Sequence, residues 1–552
     1  MKRILLVQAA ADLDMSVWIS KSLTGIKYAR AYAAPLGLAT VAAATPGHYE
    51  VQIWDELVQG HAEDNLDSGY DLVAISSFTK DIDRAKEIAR QFRERGIPVV
   101  IGGPAATDMP EALAPHFDVV FVGEGEETWP KFLEEFEAGK HATRYQGSGR
   151  LDLALSPAPR WDSIAALMPD NYKMGGVQTT NGCPHTCEFC NVWIQFGRNI
   201  RTKPIDNVLA ELRTLEAIGM RRVMLCSDNL IGNKRYARDL MRAVVQLNAS
   251  FKSPLRFSAE VTIDVANDDE MLRLMAEANL NSVIIGVESV NVESLKETRK
   301  RQNLRGDTVE QLRRIASYGV AVNGSLIVGF DNDGPEAFDA QFRLIQDALV
   351  VMPRLNVLKA NEGTDLYDRI LADRRMIDLE RSFPGQVPTD RSASSNIVPT
   401  KMTRAELFAG FLELNERVRD WGNFRERMIG YIDNLLPEAQ RPEDPRLREV
   451  VTNLRASFHR IDGVDHACVD DILDHAIARA PGIAWEVATM IVAQIFERAE
   501  LVPLREALQR QMELEAKLER RGGLVMLEPP PGWVPKDRSR KASSTKLVGL
   551  AA

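Results

Sequence analysis

The sequence predicts an α/β chain in three parts: a doubly wound parallel sheet, a partial barrel of parallel strands, and a set of packed helices. Three observations carry that prediction. Short apolar runs alternate with amphipathic stretches of about 10–15 residues through the first two thirds of the chain, the pattern of parallel sheets. A Pro-, Gly- and Ser-rich stretch after residue 140 interrupts the alternation, which then restarts. Beyond residue 400 the apolar residues recur at helical spacing only.

Residues 1–140 open with "RILLVQ" and "YEVQIWD", which read as strands. "DLVAISSF" is a buried strand followed by the helical "KDIDRAKEIARQFRERG"; "IPVVIGGPAAT" and "FDVVFVGEGEETW" repeat a strand followed by a glycine turn. This is a Rossmann-like doubly wound domain, and its ligands would bind outside the carboxyl ends of its strands. The turns "SSFTK", "GGPAA" and "GEGEE" stand at three such ends, where small residues let a ligand approach the backbone. They also read as plain strand-to-helix turns. The first strand is not followed by G-x-G-x-x-G, so a nicotinamide dinucleotide is disfavoured. Residues 141–176 read as a linker with a short helix at "DSIAAL". Residues 177–390 hold at least five β/α units, a partial (β/α)6 TIM-type barrel with its chemistry expected at the carboxyl ends of the strands. Residues 391–522 read as a helical C-terminal domain, and 523–552, Pro-rich then basic, as a disordered tail.

Composition narrows the function classes. The chain has 552 residues, is 45% hydrophobic and 26% charged, and carries a net charge of −10. A nucleic-acid footprint would be basic. No apolar run of about 18 residues marks a membrane span, and Asp12 and Asp14 interrupt the first apolar run too early for a signal peptide. A cytoplasmic location is expected. Five cysteines, with Cys226 and Cys468 far apart, do not make a disulfide framework. His48 and His116 are lone residues that read as surface.

The other three cysteines, Cys183, Cys187 and Cys190, crowd into "NGCPHTCEFCNVW" in the loop after the first barrel strand. Crowded thiols at such a loop point to metal. Structural zinc needs four closed ligands, and the nearest fourth is His185. A ferredoxin cluster also takes four cysteines. Three thiolates on a four-iron cluster leave one iron open, and an open position suits reaction.

The spacing C-x3-C-x2-C, with Phe189 before the last cysteine, resembles the signature of the radical S-adenosylmethionine (SAM) superfamily. The resemblance implies a [4Fe-4S] cluster held by Cys183, Cys187 and Cys190. Its open iron would chelate SAM, and one electron, from a donor such as flavodoxin or ferredoxin, would split SAM to a hydrogen-abstracting deoxyadenosyl radical. "CSDNLIGN" resembles a stretch that members write with two acidic residues; Ser227 replaces the first, and Asp228 and Asn229 remain for polar contacts to SAM. Glu260 and Glu288, at strand ends, would suit its ribose or amino group, or would cap the next helices. Cys226, after an apolar run, reads as a buried strand residue.

The order of domains resembles the cobalamin-binding branch of that superfamily. By that resemblance Ser76, Ser77, Gly102, Gly103, Pro104, Gly123, Glu124, Gly125 and Glu126 would cradle the cobalamin nucleotide tail. Residues 1–140 contain no D-x-H-x-x-G, so no histidine ligand to cobalt is expected from them. "VQTTNGCPHTCEFCNVWIQFGRNIRTKP" and "SDNLIGNKR" look like the subgroup of hopanoid C-2 methylases and bacteriochlorophyll C-8 and C-12 side-chain methylases. The anaerobic magnesium-protoporphyrin cyclase is a more distant relative. The function this implies is methylation of an unactivated carbon of an apolar substrate, such as a hopanoid or tetrapyrrole. A non-methylating cobalamin-binding radical SAM enzyme and a non-catalytic cobalamin or metal sensor are the alternatives. The C-terminal helices would be the natural cover of an apolar pocket, although Phe408, Phe411 and Leu414 read as core.

Overall fold

In a computed structural model of the chain, the structure describes residues 2–11, 30–65, 69–384, 394–439, 445–520 and 522–534. The strands in chain order are β1 (Lys2–Gln8), β2 (Ala31–Ala33), β3 (Tyr49–Asp55), β4 (Leu72–Ser76), β5 (Val99–Gly102), β6 (Val119–Val122) and β7 (Arg144–Gln146). There follow β8 (Tyr172–Gln178), β9 (Thr180–Asn181), β10 (Arg201–Thr202), β11 (Arg222–Cys226), β12 (Arg256–Glu260), β13 (Leu280–Glu288), β14 (Ala321–Val328) and β15 (Arg354–Val357).

The first sheet runs β3-β1-β4-β5-β6-β7, all parallel. Ile4, Leu5, Leu6 and Val7 are wholly buried in succession, as a strand covered on both faces requires. Helix Ile82–Glu94 covers one face with Ala85, Ile88, Ala89 and Phe92, a stripe at helical spacing, and the chain turns at Gly96. Strand order reverses between β1 and β4, so the crevice for a ligand opens at their carboxyl ends, beside Ser76.

The second sheet runs β15-β14-β13-β12-β11-β8-β2, again all parallel. Its six barrel strands curl into the expected partial barrel, and β2, from the N-terminal part of the chain, extends its edge beside β8. On β11, Val223 and Leu225 are wholly buried under helices, while Arg222, Met224 and Cys226 on the other face are half-buried. The lumen is therefore roomier than the outer shell, which is where a site belongs.

Three segments differ from their sequence-based reading. The stretch 141–176 is packed: β7 joins the first sheet, β8 already begins at Tyr172, and Leu153, Trp161, Ile164 and Met168 are buried. Residues 162–167 form turns instead of a helix. Residues 523–534, assigned to a tail, dock on the barrel: Leu527 N–H donates to Met376 O at 2.8 Å, and Met526 bridges Ile377. The rest of that tail, 535–552, lies outside the described residues.

The C-terminal helices do not cover the carboxyl mouth of the barrel. Trp421–Asp433, His466–Arg479 and Ala484–Ala499 pack with Ala321, Leu349 and Val351 at the amino ends of its strands. Trp485 lies between Arg222 and Arg256, 4.6 Å from each guanidinium. Helix Arg404–Val418, started by a Thr403/Glu406 capping box, buries Phe408, Phe411 and Leu414 in the main core.

Candidate functional site

The cysteine loop leaves the barrel at β9 and returns at β10, and these strands pair antiparallel at its feet. Gly182 N–H donates to Asp228 Oδ2 at 2.6 Å, and Cys183 N–H to Gly197 O at 3.3 Å. Farther along, Glu188 N–H donates to Thr298 O at 3.0 Å, and Leu366 N–H to Glu188 O at 3.1 Å. The Glu188 carboxylate, between Cys187 and Phe189, is gripped by Arg369 through Nε at 2.7 Å and Nη2 at 3.2 Å. Arg369 also donates to Glu297 at 2.8 Å and to Asp331. A planar guanidinium held by three carboxylates fixes the loop between the second and third cysteines.

Cys187 is buried, Cys183 and Cys190 are half-buried, and all three are free thiols. Burial pushes Cys190 up to about 12 and raises Cys183. Such thiols become good ligands only beside strong positive charge. Buried Lys300 lies among them, 5.9 Å from the Phe189 ring. Burial opposes its charge, but Glu288, 2.7 Å away, more than offsets this and holds the ammonium above its ordinary range. Gln302 Nε2 donates to Cys187 Sγ at 3.7 Å. Among the described residues, the trio of candidate ligand atoms lying within 4.8 Å of one another is Glu56, His61 and Glu63. Arg84, bound to both Glu56 and Glu63 at 2.6 Å, already balances that acidic trio.

Around the mouth, Asp228 and Asn229 follow β11, Glu260 ends β12 and Glu288 ends β13. Glu260 makes no hydrogen bond or ion pair among the described residues. Burial and the nearby Asp228 push its carboxyl up to about 7. Burial takes Asp228 up to about 6. Asn229 is 3% exposed, and its Oδ1 has no partner among the described residues. Glu288 differs from these: its carboxylate pairs with Lys300, and its backbone takes φ 63°, unusual for a residue with a Cβ. Cys226 lies in the lumen wall against Gly176, apart from the cysteine loop.

The loops after β4, β5 and β6 face the cysteine loop. Gly103 has φ 86°, and a Cβ there would sit 2.9 Å from Ser76 Oγ and 3.4 Å from Ser77 N. Gly123, at φ 83°, donates its N–H to Thr107 Oγ1 at 3.0 Å. Gly103 thus lets the loops after β4 and β5 approach more closely than a side chain would allow. Ser77 is wholly buried and its Oγ donates to Phe78 O, so its hydroxyl does not face the crevice as expected. Gly102 is backed by Phe121, Pro104 starts helix Pro104–Asp108, and Gly125 lies 3.5 Å from Val41 by its would-be Cβ. Glu126 accepts from Ser156 Oγ at 3.3 Å, and burial raises its carboxyl.

Glu124 is turned toward the barrel. Arg201 Nη1 donates to both its oxygens at 2.7 and 2.8 Å, and Asn181 Nδ2 donates to Oε1 at 2.8 Å. Both donors stand on β9 and β10, the feet of the cysteine loop. A second tie runs from Asp108 Oδ1, which accepts from Gln195 Nε2 at 2.8 Å and Asn191 Nδ2 at 3.2 Å. Residues 191 and 195 follow the last cysteine directly. Sequence reasoning missed Arg201, Asp108, Asn191, Gln302 and Arg369, whose respective partners Glu124, Asn191, Asp108, Cys187 and Glu188 lie 77 or more residues away along the chain, and Lys300, whose partner Glu288 is 12 residues away on another element.

Fold and site together define a class: a doubly wound ligand-binding domain clamped face to face with a three-thiol loop on a partial barrel. The comparisons with known proteins agree. Residues 177–345 match the radical SAM superfamily and residues 25–133 the B12 binding domain. The chain is 31% identical to an uncharacterized methyltransferase of Synechocystis sp., over 66% of this chain and 67% of the relative. It is 30% identical to the hopanoid C-2 methylase of Rhodopseudomonas palustris, over 63% of this chain and 66% of that one. Among solved structures, the cobalamin-dependent S-adenosylmethionine radical enzyme OxsB matches in fold, with TM-score 0.57 and 13% identity over 93% of this chain and 84% of that one. The chain belongs to the cobalamin-dependent radical SAM methyltransferase family. It is a radical SAM enzyme, and its cofactors are a [4Fe-4S] cluster, SAM and cobalamin. The residues present fit them: three free thiols on one loop beside a buried cation, and glycines at the ends of β5 and β6 that keep the backbone there bare of side chains.

Proposed function

We propose that this protein methylates an unactivated carbon of a large apolar substrate, a hopanoid or a tetrapyrrole. The observation that supports it best is the double tie between the cradle and the cysteine loop, Glu124 to Arg201 and Asp108 to Asn191 and Gln195. It holds two cofactor loops against one shared mouth. Cluster, SAM and cobalamin would together supply a hydrogen-abstracting species and a transferable methyl group. The chain's own residues do the positioning. Cys183, Cys187 and Cys190 would hold the cluster, with Lys300 and Gln302 tempering the charge on the thiolates. Asp228, Asn229, Glu260 and Glu288 would meet SAM; Glu260, lacking any partner, is the carboxylate freest to accept from it. Ser76, Gly102, Gly103, Pro104, Gly123, Gly125 and Glu126 would line the cobalamin cradle, while Ser77 and Glu124 hold its walls. The substrate class follows the hopanoid C-2 methylase relative, and Phe78, 50% exposed after β4, gives the lip an apolar element.

Anaerobically reconstituted protein should contain about four iron and four sulfide per chain. Given substrate and reductant, it should release both 5′-deoxyadenosine and S-adenosylhomocysteine. Deoxyadenosine alone would assign a non-methylating reaction, and a zinc-loaded, colourless protein would assign a sensor.

A further inference from the structure

The barrel lumen opens again at its amino end. A cavity of about 60 Å³, open to solvent, lies between the first residues of the strands and helix Ala484–Ala499. Lys173, Arg222, Arg256, Asn281, Asn323 and Glu486 line it. Their charges do not balance. Arg256 Nε donates to Glu486 Oε1 at 3.1 Å, and Arg222 Nη2 to Thr489 Oγ1 at 3.3 Å. Lys173 on β8 makes no ion pair and no hydrogen bond among the described residues; the Tyr32 ring lies 5.2 Å from its ammonium, and the Glu497 carboxylate draws on it only at longer range. Burial, with the guanidiniums of Arg222 and Arg354 beside it, lowers its ammonium to about 8. Among the described residues, Asn281, 8% exposed, has no acceptor for its Nδ2, and Asn323, 5% exposed, has no donor to its Oδ1.

An ammonium partly withdrawn from water with cations around it is costly, and proteins hold such groups where a counter-charge arrives. The unpaired groups are a cation, an amide donor and one amide oxygen; the charge left over is positive, so the missing counter-charge is an anion, and the Asn323 oxygen would accept from its protonated oxygen or from a water it carries. We propose that the floor of the barrel is an oxyanion site, binding a carboxylate or phosphate group with Lys173 as its principal cation. The site stands apart from the cofactor mouth. From Lys173 to Gln178 the strand rises roughly 17 Å at about 3.3 Å per residue. The anion is therefore either a free small ion or the charged end of a long substrate whose body lies along the lumen. The site itself does not depend on the methyl-transfer reading.

The test titrates the full chain at low ionic strength with inorganic phosphate, acetate and decanoate, followed by calorimetry. Saturable binding is expected, at least tenfold weaker in Lys173→Met and within about threefold of wild type in Lys173→Arg. Decanoate bound tenfold or more tighter than acetate identifies the charged end of an apolar chain; similar affinities identify a free anion. Without anion, Lys173→Met should melt no lower than wild type, because it removes an unbalanced cation. No saturable binding of any probe, affinity unchanged in Lys173→Met, or a clearly lower melting temperature for that variant would overturn the proposal.

Discussion

Glu260 joins three facts in one side chain: it ends a barrel strand, has no partner among the described residues, and holds its proton up to about 7, where an ordinary glutamate loses it near 4.5. The folded state therefore binds this proton more tightly than the unfolded chain does. Its contribution to stability is fully present below about pH 4.5 and is lost as pH rises through about 7. At about 1.4 kcal/mol per pH unit, the loss is on the order of 3–4 kcal/mol. Cofactor-free Glu260→Gln should melt like wild type at acid pH and clearly higher at pH 8; equal melting temperatures at pH 8 would mean that the carboxylate has a partner after all. The cysteines separate in the same way. Cys226 packs against Gly176 in the lumen wall and touches none of the cluster loop. Cys226→Ala should keep the iron content and cost roughly 1 kcal/mol in chemical unfolding. Cys190→Ala should lose the iron, whatever its effect on stability.

At the level of elements, β9 and β10 matter out of proportion to their two residues each, because they bring Asn181 and Arg201 onto Glu124. Arg201 and Glu124 are nearly enclosed, with side chains 14% and 3% exposed. Breaking such a pair from one side leaves a buried charge unmatched, at about 3–5 kcal/mol. Arg201→Met should lower the unfolding free energy by that order and reduce the cobalamin retained through purification. Adding Glu124→Gln should restore most of the stability, since the orphaned charge is then gone. This clamp also shows what the sequence could reveal. The strands, the helix Ile82–Glu94 and the cysteine spacing are local patterns, set by side-chain periodicity and by the few residues a metal needs. Glu124 was legible as a loop carboxylate, but its partner is 77 residues away and carries no local mark. The same holds for Glu188 and Arg369, 181 residues apart. The C-terminal helices were legible as amphipathic, yet periodicity states only that one face is buried. Their position under the amino ends of the barrel follows from Trp485 stacking between Arg222 and Arg256, a contact no pattern announces.

Across the whole molecule, the two sheets share one interior. A single apolar cluster runs from Ile4 and Leu6 through Leu38, Trp161 and Tyr172 to Val223 and Leu326. Chain crossings reinforce it: Ala34 N–H donates to Met174 O at 3.0 Å, and Arg160 N–H to Ala39 O at 2.9 Å. Tyr172, at the start of the barrel, donates to the buried carboxylate of Asp55 at the end of β3, 3.0 Å away. A modular reading, with a loose linker over 141–176, predicts two halves that fold alone. The packed stretch predicts otherwise. Trp161, Ile164 and Met168, 4%, 1% and 0% exposed, each contribute about 1.5–3 kcal/mol of burial. Exposing all three forfeits an amount comparable to a whole domain's stability of about 5–15 kcal/mol. Expressed separately, residues 1–150 and 151–552 should lack a cooperative melt and near-ultraviolet circular dichroism. In the intact protein, trypsin under native conditions should leave the bond after Arg160 uncut, because cleavage there needs Trp161 to leave the core. A cooperative melt from either half would show that the two sheets fold as independent units, and the clamp between their loops would then be a docking contact between them.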